Sequence, residues 1–561
     1  MTLPVFRTVL PYRGSWLRGD LIAGVTVWAV LVPEALAYAS IAGVPPVYGL
    51  YAAPGALILY AALGSSRQLI VGPMSATAAL SAATVASFAT AGTDRFFQLT
   101  VVLAIMTGVV ALVAGLLRLG FLANYISEPV MKGFIVGLAL TIIVGQLPKL
   151  FGVEKGSGDF FEKLWDLITK LPDTSGLTLL VGLVSLAIVL GLRRVAPVVP
   201  ASLVAVAFGV AAVKIFHLDD HGVEIVGHID RGLPSVGFPD VPARQYLDLA
   251  GPAVGVMLVG FAEGLGAAKT YAAKAHYEID VNRELLGLGA ANFGAGICTG
   301  MVVNGSLSKT AVNGSAGARS QVSGLAVAAL TIVTLLFLTG LFEDLPEATL
   351  AAVVIAAVVE LVDVRSLVRL YRIFTGPIGS RFQLAIRPDF VAAIAAMLGV
   401  LIFDTLPGLV IGIATSLVLL LYRASTPHVA VLGRVQGSSG SYADTLRDPT
   451  NEPIPGVLLV RPESGLMFAN SDYVRARILE QVEAVHPKAV VLDAETVPFV
   501  DVTAVTMLDE LAQELHRQGI AFVFARNVGS VRDVVARAGD GSELPVYRTV
   551  REAVEAVGAK T

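Results

Sequence analysis

Three ionisable side chains stand inside stretches of the chain that are otherwise apolar: Glu34, Glu263 and Lys309. Charges in membrane-length apolar segments are costly and mark substrate, ion or proton paths. Lys309 follows Asn304-Gly305-Ser306, and a second interruption, Gly72-Pro73, precedes Met74-Ser75-Ala76. A helix broken at such a place presents backbone N–H groups and a partial positive charge at the amino end of its second half. Two such ends, with the Ser75, Ser306 and Ser308 hydroxyls and the Lys309 ammonium, make a place for an anion. The structural alternative is that Ser and Gly here only let helices approach closely. A carboxylate beside an anion repels it unless protonated or paired. Glu263 and Glu34 are therefore either proton carriers that couple proton entry to anion entry, or fixed partners of a cation, with Lys269 and Lys309 both open to Glu263. Tyr38, one turn beyond Glu34, lines the same pocket or packs.

The composition agrees with a membrane setting. Of 561 residues, 55% are hydrophobic and only 15% charged, with a mean hydropathy of +0.74. That excludes an ordinary soluble enzyme and a disordered chain. A net charge of −4 without a long basic run argues against nucleic acid as a partner. Cys298 is the single cysteine, so the chain has no internal disulfide and no Cys-rich metal site. Charges are sparse over 21–421 and frequent from Arg423 onward. A membrane domain over 1–425 and a soluble domain over 426–561 follow.

Twelve apolar segments are long enough, or nearly so, to span a bilayer: 21–41, 51–63, 101–117, 134–147, 177–192, 201–215, 250–268, 285–298, 322–342, 348–361, 390–403 and 409–421. The interrupted segments 70–83 and 302–312 raise the count to fourteen. With the amino terminus inside, the inner loops hold sixteen Lys and Arg, including Arg7, Arg13, Arg67, Arg319, Arg381 and Arg387, against seven outside. The positive-inside rule then places both termini in the cytoplasm of a multi-pass plasma (inner) membrane protein. The stretch Gly72–Ala78 matches Gly305–Ala311 at four of seven positions with an offset of 233, and Glu34 falls opposite Glu263 at an offset of 229. Such a spacing holds seven spans, an odd number, so the second copy, about 246–424, is inverted relative to the first, about 18–217. Inverted repeats with paired interruptions are the plan of secondary transporters, with the site at the midplane.

These stretches make the chain resemble the sulfate permease (SulP) family. The likeness is carried by Val32-Pro-Glu-Ala-Leu-Ala-Tyr-Ala39, Ile41-Ala-Gly-Val-Pro-Pro-Val-Tyr-Gly-Leu50 and Gly72-Pro73. It continues through Asn282-Arg-Glu-Leu285, Asn292, Gly305-Ser-Leu-Ser-Lys-Thr-Ala-Val-Asn313 and Ala316-Gly-Ala-Arg319. The resemblance implies an α-helical polytopic fold of fourteen spans in two inverted seven-span repeats, a core domain moving against a gate domain, and a homodimer. It places an inorganic or carboxylate anion at Met74, Ser75, Ala76, Ser308 and Lys309, near Tyr38. The family often carries Arg where Lys309 stands, which trades bidentate geometry for a point charge, and Gln where Glu34 stands. Sodium-coupled relatives have a hydroxyl one turn after the Glu263 position; here it is Ala267, which favours the proton over sodium as coupling ion.

In the tail, apolar runs at 456–461, 489–493 and 520–524 read as buried strands, and 471–483, 502–518 and 530–538 as helices, with Ser471 as a helix cap. Strand–helix alternation makes a small α/β domain. Pro462-Glu-Ser-Gly-Leu-Met-Phe-Ala-Asn470 and Val500-Asp-Val-Thr-Ala504 resemble STAS signatures, whose phosphorylatable position corresponds to Thr503; a plain helix-start hydroxyl is the alternative. The expected function is a secondary anion transporter for sulfate, bicarbonate or a dicarboxylate, coupled to protons, needing no cofactor or metal. Its cytoplasmic STAS domain is open to a binding protein. The rivals are a sodium-coupled or uncoupled exchanger or channel, and an anion sensor acting through the STAS domain.

Overall fold

The computed structural model describes residues 5–6, 8–10, 12–121, 127–156, 158–196, 199–229, 231–359, 361–373, 388–403, 405–438, 440–526, 529 and 545–558. Arg7, Arg381 and Arg387 of the loop count, and the helix expected over 530–538, lie outside the described residues. The chain divides into two compact units. One comprises Met1–Val368 and Asp389–Ala414, and the other the chain from Thr415 onward with the segment that starts at Arg369.

The first unit is helical. Its order is α1 (Leu17–Ala42), α2 (Val47–Leu63), β1 (Ile70–Gly72), α3 (Ser75–Ala86), α4 (Asp94–Leu116), α5 (Glu128–Phe151), α6 (Phe160–Lys170), α7 (Gly176–Val195) and α8 (Ala201–Phe216). There follow α9 (Ala243–Lys274), α10 (Val281–Ile297), β2 (Asn304–Ser306), α11 (Leu307–Ser315), α12 (Val322–Val333), α13 (Glu347–Val359), α14 (Val364–Ile373), α15 (Pro388–Phe403) and α16 (Thr405–Ser425). Among the described residues, seven helices are long and apolar enough to cross a membrane, and α2, α3, α8 and α15 are shorter apolar helices. Every apolar segment read from the sequence coincides with one of these helices or with a strand–helix pair. The span expected over 322–342 leaves α geometry at Thr334–Leu338, a π turn, and ends in a 3₁₀ turn at Thr339–Leu341. The outer helix α6 is capped by Asp159 in a reciprocal box with Glu162 and does not span.

Two packing groups follow the repeat. Helices α2, α4, α9, α10 and α12 surround α1, α3 and α11, while α5, α7 and α8 pack with α13. Where α2 crosses α10, a Cβ on Gly55 would meet the Gly294 carbonyl at 2.4 Å, so the crossing depends on the missing side chain.

The interrupted segments correct one expectation. They are not two half-helices each but a strand followed by a single half-helix. The strands β1 and β2 pair antiparallel with Ile70 opposite Ser306, Val71 opposite Gly305 and Gly72 opposite Asn304. Non-helical backbone at membrane depth must find hydrogen bonds within the protein. Each interruption supplies them to the other, which neither half could do alone.

The second unit holds a six-stranded sheet, β3 (Val429–Arg434), β4 (Tyr442–Asp444), β5 (Val457–Pro462), β6 (Ala489–Asp493), β7 (Ala521–Ala525) and β8 (Val546–Tyr547), in the order β4-β3-β5-β6-β7-β8. Strands β5 to β8 are parallel, and β3 runs antiparallel to β4 and β5. Helices α17 (Ser471–Val485) and α18 (Val502–Arg517) cover one face around Val460, Leu492 and Phe522, and α19 (Val550–Gly558) covers the other around Leu459, Val491 and Val523. Burial on both faces explains why the central strands read as unbroken apolar runs. Strand β3 and the edge strands β4 and β8 lacked that signature and are additions to the sequence reading.

One cap assignment is corrected. Asn470, not Ser471, precedes α17, and its carboxamide oxygen accepts from the Met467 amide at 3.0 Å while Ser471 Oγ donates to the Met467 carbonyl at 2.8 Å. Asp501 caps α18, accepting from the Ala504 amide at 2.8 Å, which leaves Thr503 exposed on the first turn with no capping duty.

Candidate anion site at the paired interruptions

The β1–β2 ladder carries α3 away from one of its ends and α11 from the other. The first amides of each helix have no intrahelical acceptor. Met74 precedes α3 in an extended conformation with no side-chain cap. Ser306 caps α11, its Oγ accepting from the Lys309 amide at 3.2 Å and lying 3.2 Å from Ser308 Oγ. Ser75 and Ala76 are buried, and Ser308 is exposed.

Lys309 is the centre of the arrangement. It stands at the third position of α11, where the helix dipole disfavours a cation, and only 1% of its surface is exposed. Its Nζ lies 2.7 Å from Glu34 Oε2, donates to the Pro73 carbonyl at 3.3 Å, and sits 5.1 Å from the centre of the Tyr38 ring. Thus α1, Pro73 two residues ahead of α3, and α11 converge on one ammonium. Glu34, Tyr38, the Met74–Ala76 corner, Ser306, Ser308 and Lys309, all named from sequence, come together.

Glu263 does not join them. Among the described residues it forms an ion pair with neither Lys269 nor Lys309; its Oε2 accepts from Asn304 Nδ2 at 3.2 Å. Asn304 Oδ1 in turn accepts from the Gly305 amide at 2.7 Å, so Glu263 holds the start of β2. Closeness there requires Gly264, where a Cβ would meet Asn304 Oδ1 and Leu288 Cδ1 at 2.9 Å each. The fixed partner of Lys309 is Glu34, the carboxylate of the other repeat.

Several residues that position the site carried no signal of their own. Thr310 Oγ1 accepts from the Ile70 amide at 3.1 Å and Asn313 Nδ2 donates to the Gln68 carbonyl at 2.9 Å, tying α11 to β1. Asn292 clamps Val303 through its amide and carbonyl, each at 3.0 Å. Gln321 Nε2 donates to the Ser66 and Leu69 carbonyls at 2.9 and 2.8 Å. Glu284, fully buried, accepts from Tyr60 Oη at 2.7 Å, from Ser65 Oγ at 2.6 Å and from the Ser65 and Ser66 amides. Polar residues in a helical apolar chain are visible in sequence, but the partners of Thr310, Asn313, Gln321 and Glu284 lie more than two hundred residues away.

Fourteen apolar segments, an antiparallel ladder joining two interruptions, and a buried cation beside two half-helix amino ends define a membrane transporter built on inverted repeats. Comparison with known proteins makes the class specific. The Sulfate permease family model matches residues 17–378 and the STAS domain model residues 448–553. A probable sulfate transporter of Mycobacterium tuberculosis is 37% identical over 97% of this chain and 96% of its own length. High affinity sulfate transporter 1 of Stylosanthes hamata is 31% identical, over 100% of this chain and 86% of its own. The solved structure of the murine Solute Carrier 26 family member A9 anion transporter, in the inward-facing state, superposes with a TM-score of 0.86 at 24% identity, over 99% of this chain and 94% of that one. The chain belongs to the sulfate permease family and is a membrane transporter with a STAS domain, not an enzyme.

Proposed function

We propose that this protein is a proton-coupled secondary transporter of a sulfate-class oxyanion. The anion sits between the amino ends of α3 and α11, on the Met74, Ser75 and Ala76 amides, Ser306, Ser308 and Lys309. The single observation that carries this reading is the Lys309–Glu34 pair, 2.7 Å apart and buried. With Glu34 ionised, the only full positive charge at the two half-helix ends is neutralised. Protonation of Glu34 releases Lys309, so a proton and an anion enter together and neither entry is favourable alone. The sulfate class is supported by the names of the relatives. Glu263 acts more remotely: its charge state sets the hold on Asn304 and hence the position of β2. Exposure of the site to each side in turn comes from movement of the α1–α4 and α9–α12 group against the α5–α8 and α13 group. The protein works as a homodimer in the plasma membrane with both termini cytoplasmic. Thr503 is open on the STAS surface for phosphorylation or for a binding protein.

The test is sulfate uptake into proteoliposomes. An inward proton gradient drives accumulation by the wild type, and E34Q abolishes the response to the gradient. E263Q reduces it. Gradient-driven accumulation unchanged in both variants removes the coupling assignment.

A further inference from the structure

A cavity of about 520 Å³ lies where α1 begins and α11 ends, lined by Arg13, Trp16, Arg67, Gln68, Tyr277 and Arg319 among others. It is separate from the Lys309 site: Lys309 is the third of the nine residues of α11, six before Ser315, and at 1.5 Å per residue that is about 9 Å along the helix. All three guanidinium groups are without an ion-pair partner among the described residues. The carboxylate nearest in the chain, Asp20, is committed elsewhere. It accepts from Tyr12 Oη at 3.1 Å, from the Arg319 and Ser320 amides at 2.6 and 3.2 Å and from Ser320 Oγ at 2.7 Å. Two of the guanidiniums are propped on aromatic rings instead, Arg13 at 5.7 Å from the Trp16 ring and Arg67 at 5.1 Å from that of Tyr277. Tyr277 Oη accepts from the Arg67 amide at 3.0 Å and donates to Gln68 Oε1 at 2.6 Å, fixing the ring. A ring holds a guanidinium by its quadrupole without neutralising it. A cavity with three uncompensated planar donors, two of them pre-positioned, is arranged for a polyvalent oxyanion, which takes two N–H bonds from each fork.

We propose that Arg13, Arg67 and Arg319 form a second anion site, independent of the Lys309 site, that binds a phosphate- or sulfate-type group. That chemistry comes either as a free oxyanion or as the headgroup of an anionic lipid, since the cavity opens beside the first turn of a spanning helix.

Trp16 lines the cavity and reports on it. Full-length protein in neutral detergent is titrated with inorganic phosphate while tryptophan fluorescence is followed, with W16F as the signal control. The expected result is a saturable change that persists in K309Q, is lost in W16F, weakens at least about tenfold in R67Q/R319Q, and is largely restored in R67K/R319K. The same variants in phosphatidylcholine nanodiscs, with and without phosphatidylglycerol, separate the sources. If phosphatidylglycerol alone gives the arginine-dependent change and blocks phosphate, the group is a headgroup; if phosphate binds undiminished beside it, the group is a free anion. A phosphate response unchanged in R67Q/R319Q, or abolished by K309Q, overturns the proposal, as does the absence of any arginine-dependent response to either ligand. Retention in K309Q also keeps the outcome distinct from failure of the Lys309 site.

Discussion

Replacing Glu34 by Gln isolates the competition on which the coupling rests. In the empty protein Lys309 and Glu34 lie 2.7 Å apart with 1% and 2% of their surfaces exposed. At that 2.7 Å separation and an effective dielectric constant near 20, their attraction is about 6 kcal/mol, most of it offset by the cost of burying both charges. Removing one partner of such a pair leaves a bare buried charge and costs about 3–5 kcal/mol. In E34Q Lys309 Nζ keeps the Pro73 carbonyl and the neutral carboxamide oxygen of the substituted side chain as acceptors but has no countercharge, so the protein without anion is destabilised by up to about that amount. An entering anion then supplies the missing partner. Wild-type protein must instead break the pair or protonate Glu34 before the anion can bind. If about 3 kcal/mol of that burden disappears, sulfate affinity at neutral pH rises about a hundredfold. The pH dependence changes as well. Under the proposed coupling, wild-type binding takes up one proton at Glu34, and affinity is expected to strengthen as pH falls, by about tenfold per pH unit at most. E34Q has no proton to take up there, and its affinity is flat in pH apart from the titration of the anion itself. Isothermal titration with sulfate in a pH series, run in two buffers of different ionisation enthalpy, measures both affinity and proton uptake. An E34Q protein that binds no tighter and keeps the wild-type proton uptake would refute the reasoning.

Three further outcomes follow from the same geometry. K309Q should weaken sulfate binding by about a hundredfold or more, the loss of a desolvated charge at the site, while E34Q/K309Q recovers thermal stability without recovering affinity, as thermal unfolding with and without sulfate will show. G264A should lower stability by about 1–3 kcal/mol, because its Cβ meets Asn304 and Leu288 at 2.9 Å and Asn304 is held by Glu263; a transition temperature equal to wild type would contradict that packing. In the STAS domain, D501A should destabilise the first turn of α18 by about 1 kcal/mol whereas T503A changes it by less than about 0.5 kcal/mol, read by hydrogen exchange of the Ala504 and Val505 amides.

The helices were legible because a bilayer demands long apolar runs, and each run fills one element. The interruptions were legible too, since Gly72-Pro73 and Asn304-Gly305 cannot sit quietly in a helix interior. The inverted repeat followed from counting spans, and the soluble domain's buried strands from unbroken apolar runs. Strand β3 and the edge strands β4 and β8, covered less completely, left no comparable pattern. Ser471 looked like a cap because hydroxyls at helix starts often are. It bonds back to the Met467 carbonyl instead, and Asn470 before it makes no side-chain cap, whereas Asp501 caps α18.

By itself, then, the amino-acid sequence determined which groups carry charge into the membrane and that they fall at equivalent points of two repeats. Pairing was decided only in three dimensions. From spacing alone, Lys269 and Lys309 were both open to Glu263, and no particular cation was singled out for Glu34, 275 residues before Lys309. The antiparallel ladder between Ile70–Gly72 and Asn304–Ser306 settles the matter by bringing the first repeat's Pro73 corner against α11. An inverted duplication forces that result: elements far apart in the chain pair across the midplane, so the carboxylate that reaches the ammonium comes from the opposite repeat, while the nearer one holds the strand on which the ammonium's helix begins.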